Sequence, residues 1–296
     1  VKAFTSRALL RLPFHGGLPM SAGVPWALRK LRPLLKTHGG KAYLARRIIA
    51  VLLEHSVYAE AFAGGCSVLL NKLPLLIEYA TDIDPRLINL YLQLRGPKGP
   101  ELIRRLAATP YSRGTFESAR DCDQSTGLDG AWAFLVTNRQ SRGGLGLDFA
   151  WSDRLRGGQP GDVNGWETIV RDLPRIRERL AHVDIRCEDA VETIERVSQR
   201  HGSDALVYCD PPYLHQTRSA LETYAYEMSD ANHARLLDVL CASPCAVALS
   251  GYANPLYNAR LAGWNRVEFD MPNHAGQGKT KQRRVEVLWL KHGRVD

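Results

Sequence analysis

Four consecutive residues, Asp210-Pro211-Pro212-Tyr213, carry the densest chemistry in this chain. They follow the apolar run Leu206-Val207-Tyr208-Cys209, which reads as a short buried strand. Two successive prolines have no backbone donors, so a sheet ladder must stop at Asp210. A carboxylate, the Pro211 carbonyl and the Tyr213 ring are thereby fixed together at the C-terminal end of a strand. In open α/β sheets that edge is where ligands bind. Two rigid acceptors suit the two hydrogens of an amine, and a flat ring offers a stacking face. The plainer alternative is a strand that ends in a proline turn beside an incidental aspartate. These residues alone leave both open.

The elements around this strand alternate in the α/β manner. Val57 to Phe62 reads as a strand, followed by the small-residue turn Ala63-Gly64-Gly65-Cys66-Ser67 and an apolar helix start. Such a turn lets the backbone approach a ligand at a helix N-terminus. A second strand, Leu76 to Ala80, leads into Thr81-Asp82-Ile83-Asp84. An acid at that position suits ribose hydroxyls, and an acid before Pro85 suits a helix N-cap, one acid for each role. Regular alternation returns with a helix from Trp166 to Leu180, a strand from Val183 to Cys187, the acids Glu188-Asp189 and a helix to about Arg200. Ser229-Asp230 caps a helix running to about Cys241, and Ala246 to Ser250 is a strand. Val267 to Phe269 and Val285 to Leu290 read as a final antiparallel pair around a basic loop at 273–284.

Between 96 and 165 the composition changes. Gly143-Gly144-Leu145-Gly146 and Arg156-Gly157-Gly158-Gln159-Pro160-Gly161 are loop-rich, and the one strong helical pattern is Gly130 to Asn138. Arg113, Asn138, Arg139, Gln140, Arg142, Arg154 and Arg156 supply side chains suited to base edges and phosphates. This predicts an inserted, mainly helical recognition domain over 96–165 within a catalytic domain formed by 37–95 and 166–296. Residues 1–36 read as a basic arm, partly disordered, with a short helical pattern at Trp26 to Leu35 interrupted by Pro33, and a helix at Ala42 to Leu53 follows within the catalytic segment. Residues 1–19 read as an extension upstream of Met20 or, alternatively, a transit peptide.

The chain's 296 residues can bury a full core. Its net charge of +8 points to a polyanionic partner, because the excess is clustered. No acid precedes Glu54, whereas many Lys and Arg do, and Lys279, Lys281, Arg283 and Arg284 form a second group. The six cysteines show no CxxC pair and no Cys/His ligand spacing, so a reducing compartment and no metal are expected. No apolar run approaches a membrane span.

Taken in order, Gly39-Gly40-Lys41, Glu60-Ala61-Phe62-Ala63-Gly64-Gly65, Asp82-Ile83-Asp84, Asp189 and Asp210-Pro211-Pro212-Tyr213 resemble the DNA adenine methyltransferases of the Dam type. Ser250-Gly251-Tyr252 and Glu286-Val287-Leu288-Trp289 resemble the C-terminal half of phage and prophage members, so the likeness spans roughly residues 37 to 291. Departures are Thr37-His38 where Trp-Ala is frequent, Ala61 where proline is usual, and Cys66 where a smaller residue is usual. Positive φ at Cys66 would be disfavoured.

The resemblance implies a Rossmann-like methyltransferase sheet, mostly parallel with an antiparallel C-terminal strand pair. It also implies S-adenosylmethionine as cofactor, S-adenosylhomocysteine as product, and methylation of adenine N6 in double-stranded DNA. Asp210, Pro211, Pro212 and Tyr213 would be catalytic. Lys41, Phe62, Ala63, Gly64, Gly65, Asp82, Asp189 and Asp210 would line the cofactor, with Asp82 at the ribose, Asp189 at the adenine and the turn 62–65 at the methionine part. Asn138, Arg139, Arg142, Lys279, Lys281, Arg283 and Arg284 would contact DNA. A cytoplasmic, bacterial or phage-encoded monomer or weak dimer is expected, of the restriction-modification kind.

Other readings are an RNA or protein-amide methyltransferase of the same fold, where asparagine is commoner at position 210, and an inactive DNA-binding relative. A nicotinamide dehydrogenase is disfavoured because the turn is not GxGxxG.

Overall fold

The computed structural model describes residues 30–37, 40–214, 226–272 and 283–293, without the side chains of Pro272, Arg283 and Arg284. Seven strands form one sheet: β1 (Val57–Glu60), β2 (Ile77–Asp82), β3 (Val183–Cys187), β4 (Ala205–Cys209), β5 (Ala246–Gly251), β6 (Asn265–Pro272) and β7 (Arg283–Lys291). Their order across the sheet is β3-β2-β1-β4-β5-β7-β6. The pairs from β3 to β5 are parallel, while β7 runs antiparallel to both β5 and β6. The expected antiparallel C-terminal pair is therefore present, with β7 inserted between β5 and β6. Strand order reverses between β1 and β4, which opens a crevice at the C-terminal ends of these two strands.

Every residue of β1, β4 and β5 is buried. That follows from helices covering both faces of a parallel sheet. Alternate residues enter opposite cores, as the pleat requires. Tyr58, Leu206, Tyr208, Ala246, Ala248 and Leu288 belong to one apolar cluster, and Val57, Ala59, Val207, Val247, Leu249 and Val287 to the other. The first face is covered by α2 (Pro85–Arg95), α5 (Gly127–Gln140) and α6 (Gly161–Leu180), and the second by α7 (Ala190–His201) and α8 (Asp230–Ala242).

Residues 96–165 hold more helix than their pattern suggests. In addition to α5 they form α3 (Gly99–Ala107) and α4 (Arg113–Arg120). Leu102, Leu106, Ala119 and Leu135 join the same apolar cluster as Tyr58 and Tyr91. The segment thus shares the core of the sheet and has no separate one of its own.

The N-terminal expectations need two corrections. Residues 30–35 contain no helix; they form a strap with Leu31, Leu34 and Leu35 buried. Pro33 breaks the helical pattern, and side chains elsewhere satisfy the strap's backbone. Asn71 accepts from Leu31 N (3.0 Å) and donates to Leu31 O (3.0 Å). The helix expected over 42–53 is shorter: a 3₁₀ turn at Lys41–Tyr43, then α1 (Ala45–Ile49). A last helix not anticipated, α9 (Pro255–Arg260), is capped by the Asn254 side chain. The topology is that of a Rossmann-like α/β fold. No helix among the described residues is long and apolar enough to cross a membrane.

Candidate active site

At the strand-order reversal lies a cleft of about 970 Å³. The turn after β1 forms one wall. Gly64 has φ +43° and the following Cys66 has φ +50°. A cysteine in the left-handed region is disfavoured by its Cβ, by about 1 kcal/mol. Burial and hydrogen bonds hold it there: Cys66 is fully buried, and its N–H donates to Ala63 O at 2.6 Å. The turn is further pinned by Ala63 N to Thr81 O (2.9 Å) and by the Tyr91 hydroxyl donating to Gly64 O (2.6 Å). At Gly65 a Cβ would come within 3.0 Å of the Pro33 side chain, so the strap closes on the turn.

The two acids after β2 divide their roles. Asp84 is the N-cap of α2, accepting from Arg86 N (3.0 Å) and pairing with the Arg86 guanidinium (2.8 Å). Asp82 stays with the cleft, accepting from Gly64 N (2.9 Å) and Asp84 N (3.0 Å). Burial pushes its pKa up, against these two N–H bonds. Asp189 caps α7 through Val191 N (2.9 Å) while also lining the cleft. Phe62, Ala63, Gly64 and Gly65 line it as well.

The floor holds a carboxyl that sequence reasoning assigned no role. Glu60, the last residue of β1, is 3% exposed, and its Oε2 accepts from Leu69 N at 3.0 Å. Burial pushes its pKa from 4.5 to about 8, the Leu69 N–H opposing. Because the folded state holds this proton more tightly than the unfolded chain does, Glu60 costs stability as pH rises through the window from 4.5 to about 8. Glu60→Gln is therefore expected to melt above wild type by several degrees at pH 9, with the gap closing toward pH 5. Melting curves across that range check this, and a constant difference would contradict it.

At the end of β4, Asp210 faces the cleft with Pro212. Its Oδ1 lies 2.5 Å from Lys41 Nζ. Lys41 Nζ also donates to the Tyr213 hydroxyl (2.6 Å) and lies 3.3 Å from Glu286 Oε1. The Tyr213 hydroxyl in turn donates to Glu286, 3.0 Å from Oε1 and 3.1 Å from Oε2. Lys41 is 2% exposed and Glu286 3%. Burial opposes the charge on Lys41, but the Asp210 and Glu286 carboxylates outweigh it and push the lysine well above its ordinary range. Burial raises Asp210, and Lys41 pulls it back.

Lys41 lines the cleft with its ammonium turned to two carboxylates. Two expectations are corrected here. Tyr213 is buried, its ring packed against Tyr252 (centroids 4.5 Å apart) with Lys41 Nζ 4.9 Å from its centre, so its ring is not an open stacking face. Pro211 is buried within the same turn, where its expected role belongs to its backbone carbonyl. Asn138 and Arg139 are bound within the protein and not free for DNA. Asn138 accepts from Lys36 N (2.8 Å) and donates to Lys36 O and Gly144 O (both 2.9 Å), while Arg139 donates to Leu34 O (2.7 Å) and Pro33 O. Both hold the strap, whose irregular backbone has no ladder to satisfy it.

Arg142 is exposed next to Gly143, which lines the cleft, and Arg113, Arg154 and Arg156 are exposed as well. Lys279 and Lys281 lie outside the described residues. Arg283 and Arg284 begin β7, with side chains outside them as well. The sequence alone gives Glu286 no role, although it is the single acid within the apolar run of 285–290.

An open sheet with its crevice at the β1/β4 reversal, flanked by a glycine turn and Asp-Pro-Pro-Tyr, defines a Rossmann-like α/β methyltransferase. The family model of D12 class N6 adenine-specific DNA methyltransferases matches residues 38–124 and 169–250, more than half of the chain, and the chain belongs to that family. No curated protein matched the sequence. Among solved structures, a SAM-dependent methyltransferase from Agrobacterium tumefaciens is similar with TM-score 0.33 and 11% identity, over 85% of this chain. This chain spans 60% of that protein's length. The rRNA methyltransferase aviRa from Streptomyces viridochromogenes is similar with TM-score 0.37 and 16% identity, over 90% of this chain and 88% of that one. Similarity at this level carries no information about substrate.

Proposed function

We propose that this chain is a site-specific DNA adenine-N6 methyltransferase that takes its methyl group from S-adenosylmethionine. The observation that carries this reading is the placement of the Asp210 carboxylate in the same cleft as the glycine turn and Asp82. The cleft residues fit such a cofactor: a close-approach backbone at 63–65, an acid after β2 for hydroxyls and a second acid at Asp189. When bound, the cofactor supplies a methyl group already activated on a sulfonium cation.

The chain's own residues address the acceptor. An adenine N6 lone pair is delocalised into the ring and is a poor nucleophile. The Asp210 carboxylate and the Pro211 carbonyl would accept hydrogen bonds from its two N–H groups, orienting the nitrogen and localising the lone pair. Transfer would be direct, without a covalent enzyme intermediate: the sulfonium C–S bond would break as the N–C bond forms, S-adenosylhomocysteine would leave and the nitrogen would shed one proton. In a duplex the target atom is stacked inside the helix, so the base is flipped out. The inserted segment 96–165 is the recognition module, with Arg142 its exposed candidate for a DNA contact.

Presenting duplex DNA, RNA and protein side by side with labelled S-adenosylmethionine tests the substrate. Label in duplex DNA is expected; label in RNA or protein alone would overturn the reading. Calorimetry with the unlabelled cofactor separates an enzyme from a binding relative that has lost it.

The cluster Lys279, Lys281, Arg283 and Arg284 is assigned to the DNA backbone. Replacing these four with glutamine is expected to flatten the dependence of log affinity on log salt by about 0.9 for each phosphate left unneutralised. An unchanged slope would return the cluster to plain surface charge.

A further inference from the structure

We infer that Glu286 is a positioning residue for methyl transfer: from β7 it grips Lys41 Nζ and the Tyr213 hydroxyl, and through them sets the Asp210 carboxylate. This rests on the reading of Asp210 as the acceptor of the adenine amine. Register places Glu286 at the site. On β7, Val287 pairs with Gly251 and Glu286 pairs with Phe269, so Glu286 sits just beyond the C-terminal end of β5. That is the rim where β4 releases Asp210. The one strand running against the others thus brings an acid to the edge where the parallel strands end.

The geometry makes Glu286 the fixed end of a chain of contacts. Its two oxygens receive the Tyr213 hydroxyl at 3.0 and 3.1 Å, and Oε1 lies 3.3 Å from Lys41 Nζ. Lys41 reaches Asp210 Oδ1 at 2.5 Å. Asp210 and Tyr213 flank two prolines, so anchoring Tyr213 at one end and Asp210 at the other holds the whole turn. A carboxylate meant to orient an amine must not swing, and Glu286 restrains it by holding Lys41 both directly and through the Tyr213 hydroxyl.

Among the described residues, the charged and titratable groups facing this cluster include Lys41, Asp210 and Tyr213, with Tyr208 on β4, Glu60 at the end of β1 acting on Asp210, Tyr43 beyond Lys41 and Tyr252 after β5. Both carboxylates raise the affinity of Lys41 for its proton. Removing the charge of Glu286 lowers it, so the alkaline limb of the rate profile moves to lower pH.

The test compares Glu286→Gln, which keeps the volume, with Glu286→Asp, which keeps the charge, using the full chain and duplex DNA. In the glutamine variant kcat is expected to fall about ten- to a hundredfold, because small misplacements at a reacting centre cost that much. The dissociation constant of S-adenosylmethionine, read by calorimetry, stays within about threefold, and the alkaline limb shifts down. The aspartate variant loses part of kcat and leaves the limb in place; should the glutamine protein not fold, the same loss of kcat with unchanged cofactor affinity is read there. Wild-type kcat in the glutamine variant overturns the inference. So does a fall in kcat with an unmoved alkaline limb, or one matched by lost cofactor affinity, since either marks a merely structural role. Activity in Asp210→Ala would instead overturn the underlying reading, whereas a dead Asp210→Ala beside a fully active Glu286→Gln overturns this inference alone.

Discussion

Replacing Asp210 with alanine is expected to lower methyl transfer at least about a hundred- to a thousandfold, the scale of losing one preorganised polar group at a reacting centre. The protein should still fold. Asp210 is a loop residue at the end of β4, and its removal leaves Lys41 beside Glu286 and the Tyr213 hydroxyl. The buried ammonium therefore keeps a carboxylate partner, and the large penalty for an unpaired buried charge is avoided. Asp210→Asn is the sharper control. Its amide keeps the shape, but an N–H must face either Lys41 Nζ or the substrate amine, and both are donors. Labelled-methyl incorporation measures both variants, with calorimetry on S-adenosylmethionine as the check of an intact cleft. Activity retained by the alanine variant would remove Asp210 from the mechanism.

The largest expected loss of stability lies away from the cleft. Glu78 on β2 is 3% exposed and holds two buried cations. Lys72 Nζ donates to Oε1 at 2.7 Å, and the Arg179 guanidinium donates to both oxygens at 2.6 and 2.9 Å. Arg179 lies in the last turn of α6, so this bidentate pair fastens that helix to the sheet. Lys72 already feels burial lowering its pKa, with Glu78 opposing. Glu78→Gln would leave two buried cations without a carboxylate, at a cost of about 3–5 kcal/mol. Urea unfolding measures this as a lower midpoint with little change in slope. A loss below about 1 kcal/mol would mean that water or another group takes over the two cations.

Much of the scaffold is legible in the sequence because its signals are local. Val183–Cys187 is bounded as expected, and Ser229 does cap α8 through its hydroxyl to Asn232 N. The division of Asp82 and Asp84 between cleft and cap is set by Pro85, which places a helix start at 84. What escapes is non-local. Asn138 and Arg139 are the polar residues a DNA reader would use, yet they bind the backbone of a strap about a hundred positions earlier in sequence. No periodicity announces that pairing. Tyr213 resembles a stacking face because its ring follows the prolines; only the sheet order brings Tyr252 and Glu286 against it. Glu286 is visible as an acid in an apolar strand, but its purpose depends on β7 running antiparallel beside β5. The helices α3 and α4 are obscured by a loop-rich composition on either side, although Ser112 is a plain N-cap for α4.

The central claim is that the Asp210 cleft places a methyl group on the exocyclic nitrogen of adenine in DNA. Its most direct test is to incubate the purified protein with duplex DNA and labelled S-adenosylmethionine, digest the DNA to nucleosides and identify the labelled one. N6-methyldeoxyadenosine from the wild type, and none from Asp210→Ala, is the predicted result. Label on cytosine, on RNA alone or on no nucleoside at all would contradict it.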